Sequence, residues 1–181
     1  RFAGIAHRAH ALAKRMVALK IGRSSAGAHA AQAHSSRLSG SARAYDALAK
    51  LAATPSWKGR IQIGGFTGLA ERGDKRGFDA GFKAATDKTL PLNVRNAALG
   101  VVGSAGKGDS RAYPLIFEKF KAAYDAGNVQ GIVNGIQAIV KLADPRGQEA
   151  IDMLKVKFKD NPGAMQFVAT QEAALKAALK P

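Results

Sequence analysis

Residues 108–113 read GDSRAY, and the same skeleton stands 35 positions to either side, as GDKRGF at 73–78 and ADPRGQ at 143–148. The aspartates fall at Asp74, Asp109 and Asp144 and the arginines at Arg76, Arg111 and Arg146, so both series keep one step. Other columns stay in register with them: Arg60, Arg95 and Gln130; Gly65, Gly100 and Gly135; Phe66, Val101 and Ile136. A fixed period held by several columns is the mark of supersecondary units stacked on a shared core, and it governs the reading of everything around it.

Each unit reads as two helices. In residues 93–105 Val94, Ala97, Ala98, Val101 and Val102 recur at helical spacing, and residues 131–143 repeat the design with Ile132, Ile136, Ile139 and Val140. Glycine inside a helix costs about 1 kcal/mol relative to alanine, so its return at Gly65, Gly100 and Gly135 predicts close approach to a neighbouring helix. The aspartate then serves as N-cap of the second helix, accepting from free N–H groups of the first turn. Asp144-Pro145 fits best, because proline suits the first helical position. Arg76, Arg111 and Arg146 are expected to bridge to the next unit's aspartate in a ladder.

Ile116, Phe117, Phe120 and Tyr124 form one apolar stripe on a second helix, read as repeat core rather than a ligand pocket. Upstream, residues 41–53 look like the second helix of an earlier unit, with Trp57 packed in the turn behind it. Downstream of Asn161-Pro162-Gly163, a strong breaker, residues 164–180 should close the stack with an exposed face of Ala and Lys. The expected fold is all-α: an α-solenoid of about three to four helix pairs over residues 43–181 behind a basic N-terminal arm, 1–42.

Helices so paired, with Asp-x-Arg at the turn and LADPRG at 142–147 in particular, resemble HEAT-like repeats over roughly residues 43–162. The stretches TPSWKGRIQIGGFTGLAERGDKRGFD, 54–79, and VVGSAGKGDSRAYPLIFEKF, 101–120, look like the C-terminal helical tail of aminopeptidase-N-like zinc peptidases. That likeness implies a non-catalytic module, since the H-E-x-x-H motif of such enzymes is absent: no histidine follows His34 and no carboxylate precedes Asp46.

Residues 100–110, GVVGSAGKGDS, resemble a phosphate loop only superficially. A Walker loop needs glycine five residues before its Gly-Lys pair and Ser or Thr after the lysine, where Val101 and Gly108 stand. The stretch also leaves a predicted helix rather than a strand, so Lys107 belongs to a turn. His7 and His10 share a helical spacing but have no carboxylate partners, and read as polar surface. The repeated aspartates have a structural task as caps, and Ser104 lacks a histidine in its own domain. The expectation is a protein that is not an enzyme, with no cofactor, no metal and no small-molecule substrate.

Charge is the other informative feature. The 28 Lys and Arg against 13 Asp and Glu leave a net +15, and no residue before Asp46 is acidic. The arm carries Arg1, Arg8, Lys14, Arg15, Lys20, Arg23 and Arg37, together with all four histidines. Its Ala-, Ser- and Arg-rich, acid-free composition resembles an organelle targeting segment. With a first residue other than Met, this predicts a processed or truncated end and a mitochondrial location, with the bacterial periplasm or secretion as the alternative. Such an arm suits acidic protein or phosphate, in RNA or anionic lipid. Its few aromatics, Phe2 and Tyr45, disfavour base stacking. Cysteine is absent, which excludes disulfides and thiolate chemistry. The functional expectation is a scaffold or accessory subunit of a multi-subunit assembly. The alternatives are a detached tail of an aminopeptidase-N-like enzyme and an RNA-contacting, ribosome-associated subunit.

Overall fold

The computed structural model describes residues 42–180. The chain divides into two units, Arg1–Ala44 and Tyr45–Pro181; the helices below belong to the second, apart from the first three residues of α1. They are α1, Ala42–Ala53; α2, Arg60–Arg72; α3, Phe78–Thr86; α4, Leu92–Ala105; α5, Ala112–Asp125; α6, Val129–Leu142; α7, Gly147–Lys157; and α8, Pro162–Ala178. Short 3-10 turns cover Trp57–Gly59 and Lys75–Gly77. No strand occurs among the described residues, so the fold is all-α. Residues 94–104 lie inside α4, and Lys107 stands exposed in the loop that joins two helices.

The apolar periodicity drives the packing. Val94, Ala98, Val101 and Val102 of α4 and Ile132, Ile136 and Ile139 of α6 are buried, and each such Val or Ile contributes about 1.5–3 kcal/mol by leaving water. α2 packs on α4, α4 on α6 and α6 on α8, which makes one row of first helices. The second helices lean on the following pair: α3 on α4, α5 on α6, and α7 on α8. Phe120 is fully buried, with the rings of Phe117 and Tyr124 each 6.1 Å away. Asn128 and Asn161 cap α6 and α8 through side-chain oxygens 3.0 Å from the N–H groups of Gly131 and Ala164. Between α7 and α8, Glu172 of α8 takes Lys155 of α7 at 2.9 Å and, within its own helix, Lys176 at 2.8 Å.

Two of the three recurring helical glycines make the close approach expected of them. A Cβ on Gly65 would run into the backbone of Ala52 on α1, and one on Gly135 would lie 2.8 Å from the Cβ of Phe120 on α5. Gly100 differs: its nearest neighbour is the Ala70 methyl at an ordinary 3.6 Å. On α4 the tight contact falls three residues later, at Gly103, where an added Cβ would lie 2.8 Å from the Ala138 Cα on α6.

Trp57 departs from expectation. It is 70 % exposed; Gly59, buried behind it, takes the inward position against Val94. The two residues that follow it, Lys58 and Gly59, both have positive φ, 53° and 69°. Among the described residues, no helix is long and apolar enough to cross a membrane.

Candidate partner-binding groove and the turns that space it

The three aspartates form one structure built three times. Oδ1 of Asp74, Asp109 and Asp144 accepts from the backbone N–H of Arg76, Arg111 and Arg146 at 3.1, 2.9 and 2.9 Å. Their carbonyls accept from Gly77, Ala112 and Gly147, three residues on, at 2.9, 3.1 and 2.9 Å. The residue before each aspartate has positive φ, 62° at Gly73, 87° at Gly108 and 54° at Ala143; Gly73 and Ala143 are the left-handed C-caps of their first helices, while Gly108 stands two residues beyond the C-cap Gly106. The carboxylate therefore caps a short helical turn leading into the second helix.

The arginines do not form the expected ladder between one unit's arginine and the next unit's aspartate. Each guanidinium closes on its own turn, with Nη2 to carboxylate Oδ2 distances of 2.6, 2.9 and 2.6 Å for Arg76–Asp74, Arg111–Asp109 and Arg146–Asp144. Nε completes a two-point contact in every case. The reason is local: the same carboxylate already holds the arginine's N–H, so the side chain needs only to fold back. These hydrogen bonds hold the Asp74 carboxyl down at about 2, and hold Asp109 and Asp144 below the usual aspartate range.

The link between units is an aromatic ring from the preceding second helix. Arg76 lies 4.2 Å over Tyr45, Arg111 4.9 Å over Phe78, and Arg146 4.3 Å over Tyr113. The Tyr45 and Tyr113 hydroxyls also donate to the Arg76 and Arg146 carbonyls, at 2.8 and 2.7 Å. Phe78 has no hydroxyl, and there Asp79 substitutes with an ion pair to Arg111 at 3.0 Å. Burial, with help from the Glu149 and Asp144 charges, pushes the Tyr113 hydroxyl up to about 12. Sequence reasoning missed these rings, although SARAY at 41–45 echoes SRAY at 110–113 and so carried the signal.

Between these turns, α2, α4 and α6 line an open groove of about 230 Å³. Small residues floor it: Ala97, Gly100 and Ala138. Its walls are Thr67 and Glu71 from α2, Asn96 from α4, and Asn134, Gln137 and Lys141 from α6. Gln130 orients Asn134 with a hydrogen bond of 3.0 Å. A carboxamide both donates and accepts, so Asn96, Asn134 and Gln137 match the alternating N–H and C=O of an extended peptide. Glu71 and Lys141 place opposite charges on the two outer helices. The sequence marked these positions only as the polar side of amphipathic helices.

The arm residues Arg1, Arg8, Lys14, Arg15, Lys20, Arg23 and Arg37 lie outside the described residues, as do the histidines. Among the described residues, no three His, Cys, Asp or Glu side chains group as metal ligands.

Neither the curated proteins nor the solved structures compared with this chain give a match. A family model described as a succinyl-CoA ligase like flavodoxin domain matches residues 1–55, less than a third of the 181; within the described part it meets only α1 and the two residues after it.

Proposed function

We propose that this chain is a HEAT-like α-solenoid segment that works without catalysis, as a scaffold or accessory subunit holding an extended segment of a partner protein along α2, α4 and α6. The observation carrying this reading is the groove to which three successive first helices contribute, with Asn96, Asn134 and Gln137 among its lining residues. Stacked repeats offer extended surfaces of this kind. Main-chain recognition by Asn96, Asn134 and Gln137 would fix a segment's path, while Glu71 and Lys141 would select its charge order. The basic arm supplies a second attachment, to acidic protein or to phosphate, and its composition favours an organellar assembly.

Co-purification from the native source tests the idea. Wild type and an Asn96→Ala/Asn134→Ala/Gln137→Ala variant are compared by quantitative mass spectrometry after nuclease treatment. A defined set of proteins should be retained by wild type and lost by the variant. Identical recovery by both, or recovery of RNA alone before nuclease, overturns the assignment.

A further inference from the structure

The corner between α1 and α2 carries an apolar surface that the groove does not use. Trp57 is 70 % exposed, and Leu92, at the start of α4, is 55 % exposed. Ile61, on the first turn of α2, is 43 % exposed. Two hydrogen bonds tie the corner together. The Asn93 side-chain amide donates to the Lys58 carbonyl at 3.2 Å, and the Ile61 N–H donates to the Ser56 hydroxyl at 2.9 Å. Two cations flank the indole: Lys58 Nζ lies 4.3 Å from the ring centroid and the Arg60 guanidinium 5.4 Å. Neither makes an ion pair with a carboxylate among the described residues. The acid in the next loop, Asp87, is occupied by the Thr89 N–H and hydroxyl, at 2.9 and 2.6 Å.

We propose that Trp57, Leu92 and Ile61, flanked by Lys58 and Arg60, form an anchor for an anionic phospholipid surface. Tryptophan settles at the boundary between headgroups and acyl chains, where its ring is apolar and its N–H stays wet. Lys58 and Arg60 carry the charge that lipid phosphates and carboxylates complement. The indole is largely exposed at the start of a 3-10 turn, which suits a deformable interface better than a peptide. The two cations already lie over its ring, where a stacking nucleobase would have to sit.

Trp57 is the only tryptophan of the chain, so its fluorescence reports on this corner alone. The full-length protein is titrated with vesicles of phosphatidylcholine, and of phosphatidylcholine with phosphatidylserine. The emission should start at the long wavelength of a wet indole. It should shift to the blue and lose acrylamide quenching with the anionic vesicles only, and return as salt rises. Lys58→Gln with Arg60→Gln should weaken binding by about 30-fold, from ~1 kcal/mol per cation at such a surface, with an unchanged far-ultraviolet circular dichroism spectrum. Vesicle sedimentation with no change in Trp57 would place binding elsewhere, on the basic arm for instance, and overturn the proposal. So would emission already blue in buffer, which would mean that the chain's own residues cover the ring. An equal shift with neutral vesicles, or one produced as well by polyglutamate or oligouridine, also overturns it.

Discussion

The two kinds of turn between the helices solve the same problem in opposite ways. Where a first helix turns into its partner, the chain uses one design three times: positive φ, Asp, Arg, and a ring from the preceding unit. Where one pair passes to the next, each loop differs. Lys58 and Gly59 turn left-handed in the first, and Asp87 closes on Thr89 in the second. Asn128 follows Gly127 in the third, and Asn161 precedes Pro162 in the last. The difference teaches where precision is needed. At the repeated turns a side chain of one unit touches the backbone of the next, so an error in one turn displaces its neighbour. At the varied turns the contacts between units do not repeat, Asn93 donating to the Lys58 carbonyl in one place and Lys157 to the Tyr124 carbonyl in another, and Trp57 is left exposed.

Truncating the two aromatics should break the comparison most sharply. Tyr113→Ala removes a buried ring with its hydrogen bond to Arg146 and should cost about 3–4 kcal/mol, measured by urea denaturation. Trp57→Ala should stay within about 0.5 kcal/mol, as for other exposed sites. Equal losses would refute the distinction between the two kinds of turn.

The aspartates give the next largest effect. Asp144→Ala deprives the turn of its cap and should cost about 1–2 kcal/mol. Asp87→Ala, whose carboxylate only closes its own loop, should shift the thermal midpoint less.

Acid sharpens the same point. Asp74 and Glu172 are held at about 2, against ordinary values of 3.8 and 4.5. A carboxylate with a depressed folded-state pKa stabilises fully above its unfolded value and loses that contribution as pH falls toward the folded one. The thermal midpoint should therefore hold steady above pH 4.5 and fall between there and 2. Asp74→Asn should flatten the part of that decline below pH 3.8 and leave the start near 4.5, which belongs to Glu172; a profile identical to wild type would contradict the paired turn.

Least in size is a gain. Ala143 occupies the left-handed position that Gly73 and Gly108 hold in the other units. An L-residue there costs about 1–2 kcal/mol, and the extra unfolded-state freedom of glycine returns part of it. Ala143→Gly should thus stabilise by about 0.5–1 kcal/mol in denaturant titration.

Most of the helical plan was legible because burial of one helix face leaves a periodic trace. Ile132, Ile136 and Ile139 mark α6 in the sequence as plainly as in the structure. The turns were legible in part: Asp74, Asp109 and Asp144 announce a cap, because capping is a bond to the adjacent backbone. The destination of the arginines was not legible. A guanidinium reaches its own aspartate or a more distant one equally well on paper, and the rings that take its other face come from 31–33 residues upstream. The groove was hidden for a similar reason, since Asn96 belongs to α4 and Asn134 and Gln137 to α6, and they meet only when those two helices pack.

What the sequence by itself determined is therefore local: the period, the helices, the caps, and the concentration of positive charge before the first carboxylate. Only the tertiary structure decided that Gly103 rather than Gly100 makes the tight contact on α4, and that each arginine folds back under an upstream ring. It also decided that the indole of Trp57 points outward. Those outcomes depend on distances between chain segments far apart in sequence, and side-chain patterning constrains such distances only after the helices have met.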